Sequence, residues 1–134
     1  MLLLGRSSDK RGERRWHLVI PMLLGAVGLV GSALAGTTNT GVAIFCLSIA
    51  AAGVLSSAPL FWSLPTAFLS GVAAAAGIAA INSVGNLAGF AAPFLIGAIK
   101  DATQSTNIGL YLLAGVLVAG AIVVLKVPAR LVNR

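Results

Sequence analysis

A long stretch without formal charge constrains this chain more than any other feature. Every Lys, Arg, Asp and Glu lies in residues 6–15, 100–101 or 126–134, which leaves residues 16–99 uncharged. Soluble domains contain about 25% charged residues, whereas this chain of 134 residues is 9% charged and 58% hydrophobic. The sequence therefore predicts an integral membrane protein that is embedded in the lipid bilayer.

Turn signals divide the apolar sequence into four segments that can each cross a bilayer, since about 20 helical residues span a hydrocarbon core of about 30 Å. The predicted spans are residues 16–36, 42–68, 72–99 and 108–127. Residues 1–15 are predicted to be a cytoplasmic loop with the end of a preceding helix. The expected fold class is an all-α integral membrane protein with four transmembrane helices.

Glycines and prolines mark the first two predicted spans. Gly25, Gly28 and Gly31 recur at steps of three, which predicts a ridge of small residues for close packing against a neighbouring helix. Pro59 and Pro65 each remove a backbone donor from the second span. We expect that helix to be kinked or loosened at these positions.

Basic residues are concentrated at the two ends of the chain. Five precede the first span and three follow the fourth, whereas the loop before the fourth span holds Lys100 beside Asp101. Because basic residues favour the cytoplasmic side of a membrane, both termini are predicted to be cytoplasmic, which agrees with an even number of spans. The net charge of +6 is assigned to this topology rather than to nucleic-acid binding.

No catalytic constellation is recognisable in the sequence. It contains no nucleophile–base pair, metal-ligand cluster or phosphate loop, so the sequence predicts no enzyme, no metal and no cofactor. A self-contained four-helix exporter would need an intramembrane carboxylate, and residues 16–99 contain none. The single cysteine, Cys46, lies in an apolar run and is interpreted as a buried core thiol.

The third predicted span carries the clearest polar marks. Asn82 and Asn86 are four residues apart, and Gly89 and Pro93 continue the same line, so these residues share one face of a helix. Spacing alone leaves two interpretations open. The amides could hydrogen-bond to a neighbouring helix, a contribution of about 0.6 and at most about 1.7 kcal/mol, or they could face a transported polar solute.

The hairpin between the second and third spans predicts a pairing of polar groups. Counted from the turn at Gly71, Trp62 lies nine residues back and Asn82 eleven residues forward. At about 1.5 Å per residue, both are predicted to lie roughly 14 to 17 Å deep, near the bilayer midplane. An indole N–H and an amide at that depth favour a binding site for a polar solute. An interfacial tryptophan is the alternative.

The first loop and the central hairpin carry a family resemblance. The segment GRSSDKRGERRWH resembles the cytoplasmic loop motif of major facilitator superfamily transporters, and PLFWSLPTAFLSGVAAAAGIAAINSVGNLAGFAAPFLIGAIKDAT resembles the tenth and eleventh helices of their anion:cation symporter branch. The matching loop positions are Gly5, Asp9, Lys10, Gly12, Arg14 and Arg15. By this resemblance the chain is the end of helix eight followed by helices nine to twelve, the C-terminal part of a twelve-helix fold.

The resemblance implies a function and a site. Similar proteins in this branch take up organic anions of the phthalate, tartrate, hexuronate and sugar-acid type with a coupled proton or cation, in the bacterial inner membrane. Helices ten and eleven border their central cavity, so the resemblance implies that the substrate-binding candidates are Phe61, Trp62, Asn82 and Asn86. The loop motif would form a cytoplasmic gate, and a solvated topogenic charge run is the alternative.

The implied transporter is larger than this chain. Its N-terminal helices have no counterpart here, and no ionisable group for proton coupling lies between Trp16 and Ile99 apart from His17. The chain is therefore expected to be inactive alone. The alternative function is a small structural or interaction protein of four membrane helices, which would use Gly85 and Gly89 only for packing.

Overall fold

The apolar segments of the chain form four long helices in the computed structural model, which describes residues 14–36 and 38–129 but not the side chains of residues 67 and 68. They are α1 (Arg14–Ala35), α2 (Thr40–Phe68), α3 (Gly71–Thr103) and α4 (Asn107–Lys126). Each is long and apolar enough to cross a bilayer, and no strand occurs among the described residues. The predicted all-α membrane fold with four helices is confirmed.

Short polar turns connect the helices. Asn39 caps the start of α2, because its side chain accepts a hydrogen bond from the Val42 N–H at 3.2 Å. Gly71 opens α3 with a φ of +59°, a left-handed conformation that favours glycine. Gln104 closes α3, and its N–H donates to the Lys100 carbonyl at 2.7 Å. These turns fix the antiparallel order of successive helices.

α3 is longer than the third predicted span. That span was expected to end at residue 99 before a polar loop, but the helix continues through Lys100 and Asp101 to Thr103. Charged side chains end the stretch that hydrocarbon can surround, while the backbone remains free to continue its helical hydrogen bonds in the polar layer. With 33 residues at about 1.5 Å each, α3 is about 50 Å long, which exceeds the hydrocarbon thickness.

The prolines of α2 loosen the helix without interrupting it. α2 is continuous with Pro59 and Pro65 inside it. Because proline has no N–H, the carbonyls four residues earlier, at Leu55 and Phe61, lose their helical donors. Side-chain hydroxyls in the same segment donate back to helix carbonyls, which also bends helices. These donors are Ser57, Ser63 and Thr66.

α1 and α2 cross with their backbones in contact. A Cβ atom at Gly28 would lie 2.6 Å from both the Cys46 carbonyl oxygen and the Ala50 nitrogen. A Cβ atom at Gly53 would lie 2.5 Å from the Pro21 carbonyl oxygen. These separations are far below van der Waals contact, so the approach requires glycine at both positions. The predicted glycine ridge of α1 is confirmed as its contact face with α2.

α1 is the central helix of a three-helix core, with α2 on one side and α4 on the other. Near the start of α1, one buried cluster contains Leu18, Val19, Leu60, Leu64, Ala121 and Val124. Nearer its end, a second contains Ala26, Leu29, Ala50 and Ala114. Cys46 was expected to be buried but is half-buried, because it lies at the edge of the crossing, where its sulfur faces Gly31.

α3 stands apart from this core. None of its residues is buried, although it is the longest of the four helices. It meets its neighbours mainly towards its ends, where Leu69 lies against Gly77 and Ile96 lies against Gly109. Along its middle, a Cβ atom added at Gly85 or Gly89 would find no atom within 4 Å. The helix that carries the asparagines therefore presents most of its surface outward.

Candidate functional site

The two asparagines of α3 lie on one exposed face. α3 is an unbroken helix, so the four-residue spacing brings Asn82 and Asn86 to the same side. Both residues are exposed, and neither amide has a hydrogen-bond partner within the described part of the chain. The neighbouring Ser83 differs, because its hydroxyl donates to the Ala79 carbonyl at 2.8 Å. The two amides are free to bind a partner that this chain does not supply.

Phe61 and Trp62 form an aromatic pair on α2. Their ring centroids are 5.6 Å apart and the ring planes meet at 73°, an edge-to-face arrangement. The side chains are 37% and 36% exposed. Leu60 and Leu64 are buried against α1 and α4. Successive residues lie about 100° apart around a helix, so Trp62 points away from that core.

The register between α1 and α2 fixes the level of the aromatic pair. Arg14, the first residue of α1, donates from its guanidinium to the Ser63 carbonyl at 3.5 Å. The middle of α1 crosses α2 much earlier in the sequence, near Ala50. From that crossing to Trp62 is about 12 residues, or about 18 Å along the helix. Trp62 therefore lies level with the start of α1.

The prediction that Trp62 lies near the bilayer midplane is wrong. The count began at Gly71 on the assumption that this turn marks the membrane surface. Ser63 is already level with Arg14, so the turn lies beyond the start of α1 by about eight residues, or about 12 Å. Counting inward from that turn overestimates the depth of Trp62.

The same correction separates the two asparagines in depth. Ile96 of α3 lies against Gly109, near the start of α4. Because these helices are antiparallel, the middle of α4 is level with a point about eight residues before Ile96, close to Gly89. Asn86 is therefore about 5 Å from the centre of the helical segment, and Asn82 is about 10 Å from it. Asn86 is the deeper of the two amides.

The structure brings some predicted site residues together and leaves others apart. Phe61 contacts Trp62, and Asn82 shares a face with Asn86. Within the described residues, no hydrogen bond joins the Trp62 indole to Asn82, so the predicted hairpin pair is not formed here. The first four residues of the predicted gate motif lie outside the described residues, and these are Gly5, Asp9, Lys10 and Gly12.

The two described arginines of the gate motif bind helix carbonyls. The Arg14 guanidinium donates to Ser63, and the Arg15 guanidinium donates to the carbonyl of Leu125. Leu125 lies in the last turn of α4, where carbonyls have no helical donor and a cation is favourable. The arginines therefore tie the start of α1 to α2 and α4, a role that the loop motif did not suggest.

Sequence reasoning also missed Gly53, which supplies half of the α1–α2 crossing. A lone glycine inside a helical pattern signals a packing role, so this position was detectable. The carbonyl contacts of Arg14 and Arg15 were not, since they depend on where α2 and α4 end relative to α1.

Three cavities between α1, α2 and α4 offer little to a polar solute. Their volumes are about 240, 470 and 580 Å³. Apart from Ser56 and Tyr111, their linings consist of aliphatic side chains and glycine or proline. They contain none of the four predicted substrate-binding residues. The polar face of α3 is therefore a better candidate site than these cavities.

Three relatives place the chain among transporters. It is 53% identical over 125 residues to a protein of Agrobacterium vitis named as a tartrate transporter, covering 93% of this chain and 28% of that protein. It is 40% identical over 134 residues to the metabolite transport protein NicT of Pseudomonas putida, covering 100% of this chain and 30% of that protein. A quinolone resistance transporter of Acinetobacter baumannii is 42% identical over 132 residues, or 98% of this chain and 30% of its own length. The chain belongs to the major facilitator transporters.

The family resemblance drawn from the loop and hairpin motifs is thus confirmed. The chain spans less than a third of the length of these relatives, so it corresponds to a fragment of such a transporter. The relatives are named as transporters rather than enzymes, in agreement with the prediction from sequence. No family profile matches the chain, and no solved structure matches it.

Proposed function

We propose that this chain forms part of a secondary active transporter that takes up an organic anion, a carboxylate or sugar acid, together with a proton or another cation. The observation that carries the proposal is the face of α3, where two amides without partners lie on a membrane helix that buries no residue. An exposed amide in hydrocarbon is costly. A water-filled solute path in the complete transporter would satisfy it.

The chemistry of an amide suits this solute class. Asn82 and Asn86 each offer two N–H donors and one carbonyl acceptor. Donors of this kind bind carboxylate oxygens, and the acceptor binds hydroxyl groups, so a hydroxy acid uses both. The name of the Agrobacterium vitis relative, which refers to tartrate, supports this assignment. Asn86 would lie near the middle of the path and Asn82 nearer its basic end.

The coupling group belongs to the rest of the transporter. Residues 16–99 contain no acidic side chain, and His17 is the one titratable imidazole there. Proton coupling requires an ionisable group inside the membrane. Because the chain corresponds to 28% of the tartrate relative, we expect the coupling group and the opposite wall of the cavity to lie in the remaining sequence. This chain alone is then inactive.

The proposed location is the bacterial inner membrane, with both termini in the cytoplasm. The support is the charge distribution, since Arg14, Arg15 and Lys126 lie at one end of the helical segment. Cysteines placed at Thr38 and Gln104 should react with an impermeant thiol reagent added outside cells. Cysteines at Ser8 and Asn133 should not. Labelling of Asn133→Cys from outside would reverse the assignment.

A chimaera tests the function. The matching 125-residue segment of the Agrobacterium vitis relative is replaced by the segment from this chain, and tartrate uptake is measured in cells. We expect uptake by the chimaera and none by vesicles that hold only the 134-residue chain. Uptake by the isolated chain would disprove its proposed inactivity. A well-expressed chimaera without uptake would favour the alternative of a structural or interaction protein, which the close glycine crossing of α1 and α2 also suits.

A further inference from the structure

The geometry of α2 points to a second role for its aromatic pair: Phe61 and Trp62 close the mouth of the solute path at the basic end of the segment, on a stretch of helix that bends. This inference rests on the proposed function, because it requires a path along α3. It assigns the pair to the entrance of that path rather than to its centre.

Level and direction support the entrance. Trp62 adjoins Ser63, whose carbonyl accepts the bond from Arg14, so the pair lies level with the charged end of α1. Leu60 and Leu64 turn towards the core of α1, α2 and α4. Trp62 lies on the opposite side of α2, and it is not covered by that core. A solute that approached the α3 face from the basic end would pass this level before it reached Asn86.

The pair has the properties of a barrier. The edge-to-face contact at 5.6 Å joins two large rings into one apolar block. An anion with its hydration shell cannot cross such a block without losing water. The unoccupied amides lie beyond it on α3, so movement of the rings would decide whether they are reached from this end.

The helix beneath the rings is built to move. Pro59 and Pro65 flank the pair and leave the carbonyls of Leu55 and Phe61 without their helical donors. The Thr66 hydroxyl donates to the Trp62 carbonyl at 3.0 Å, a type of bond that bends helices. Prolines are the usual cause of sharp bends in helices. A change of bend at these points swings both rings together.

The level of Trp62 is tested on the 134-residue chain itself. The chain has two tryptophans, so Trp16→Phe leaves Trp62 as the only one. The variant is placed in vesicles whose lipids carry bromine either near the headgroup or near the end of the acyl chain. We expect stronger fluorescence quenching by the shallow bromines. Stronger quenching by the deep bromines would overturn the assignment to the entrance.

The barrier is tested in the chimaera, in a form freed of other cysteines that includes Cys46→Ala and carries Asn86→Cys. An impermeant thiol reagent is added on the cytoplasmic side and the labelling rate is measured. Phe61→Ala with Trp62→Ala should raise the rate about tenfold, as expected for a shift in an open–closed equilibrium. Trp16→Ala, at the same level on another helix, should leave the rate unchanged.

A second variant removes the bend and keeps the rings. Pro59→Ala with Pro65→Ala restores two helical donors, so it should slow labelling of Asn86→Cys from the same side. Unchanged rates in both the ring and the proline variants would overturn the barrier. A chimaera that carries no organic anion contradicts the proposed function, while the quenching depth and labelling rates still judge the entrance on their own.

Discussion

Two faces of this chain have the same kind of small-residue pattern and opposite surroundings. On α1, Gly25 and Gly28 lie against the backbone of α2, with no room for a single Cβ atom at Gly28. On α3, Gly85 and Gly89 have no atom within 4 Å of the place where a Cβ would stand. A small-residue stripe therefore shows that a helix is suited to close approach, while the partner has to be identified separately.

The difference shows where each partner lies. α1 finds its partners within the chain and buries 50% of its most apolar window, whereas α3 buries 0%. The exposed face of α3 also carries the two amides without hydrogen-bond partners among the described residues. Because the chain covers 28% of the tartrate relative, the partners of α3 are to be sought in the remaining length.

The largest expected effect comes from filling the two glycine faces in turn. Gly28→Leu forces a side chain into the backbone of α2, so it should lower the free energy of unfolding of the isolated chain by about 3 kcal/mol or more. Gly89→Leu should change it by no more than about 0.5 kcal/mol, because that position is open. Denaturation in detergent followed by circular dichroism measures both.

The comparison is sharpened by repeating the pair in the chimaera. If the rest of the transporter covers the α3 face, Gly89→Leu should now reduce uptake or folded protein while it remains neutral in the isolated chain. Equal, small effects of Gly28→Leu and Gly89→Leu in the isolated chain would contradict the packed crossing described for α1 and α2.

A smaller effect is expected from removing the amides. Asn86→Ala in the chimaera deletes the donors and acceptor that a bound carboxylate or hydroxyl would use, so affinity should fall by about 1 to 3 kcal/mol, or about 5- to 150-fold. Ser83→Ala is the matched control, since its hydroxyl is bonded within α3. If the amides only hold helices together, Asn86→Ala should instead reduce the amount of folded transporter and leave the affinity of the remainder intact.

The smallest effect concerns the charged end of the core. Arg15→Gln removes a cation from a carbonyl in the last turn of α4, so the free energy of unfolding should fall by about 1 kcal/mol. Lys126→Gln removes an exposed cation at the same end, where no hydrogen bond of its side chain is found in the described part of the chain, and should have an effect near zero. A larger loss for Lys126→Gln than for Arg15→Gln would count against the tie between α1 and α4.

The sequence was sufficient for the helices and for one of the two faces. Charge-free length predicted a membrane protein, and the three-residue glycine period predicted the ridge of α1. The sequence was insufficient for depth, because a count from Gly71 assumes that the turn lies at the membrane surface. α3 is 33 residues long and α2 continues past the level of Arg14, so that assumption fails.

Other features depend on relations between helices that no local pattern records. The bonds of Arg14 and Arg15 arise because α2 and α4 place carbonyls beside the start of α1. The grouping of Asn82 with Asn86 was predictable, since a four-residue spacing alone produces it. Their contact with Trp62 was not, since it depends on how α2 and α3 diverge after the turn at Gly71.

The central claim is that the polar face of α3 lines a solute path, and protection of one cysteine tests it most directly. In the chimaera freed of other cysteines, Asn86→Cys is labelled by a thiol reagent with and without saturating tartrate, beside Ser83→Cys on another side of the helix. The account predicts that tartrate slows labelling at position 86 by about tenfold and leaves position 83 unchanged. Equal labelling rates at position 86 with and without tartrate, in a chimaera that transports it, would contradict the account.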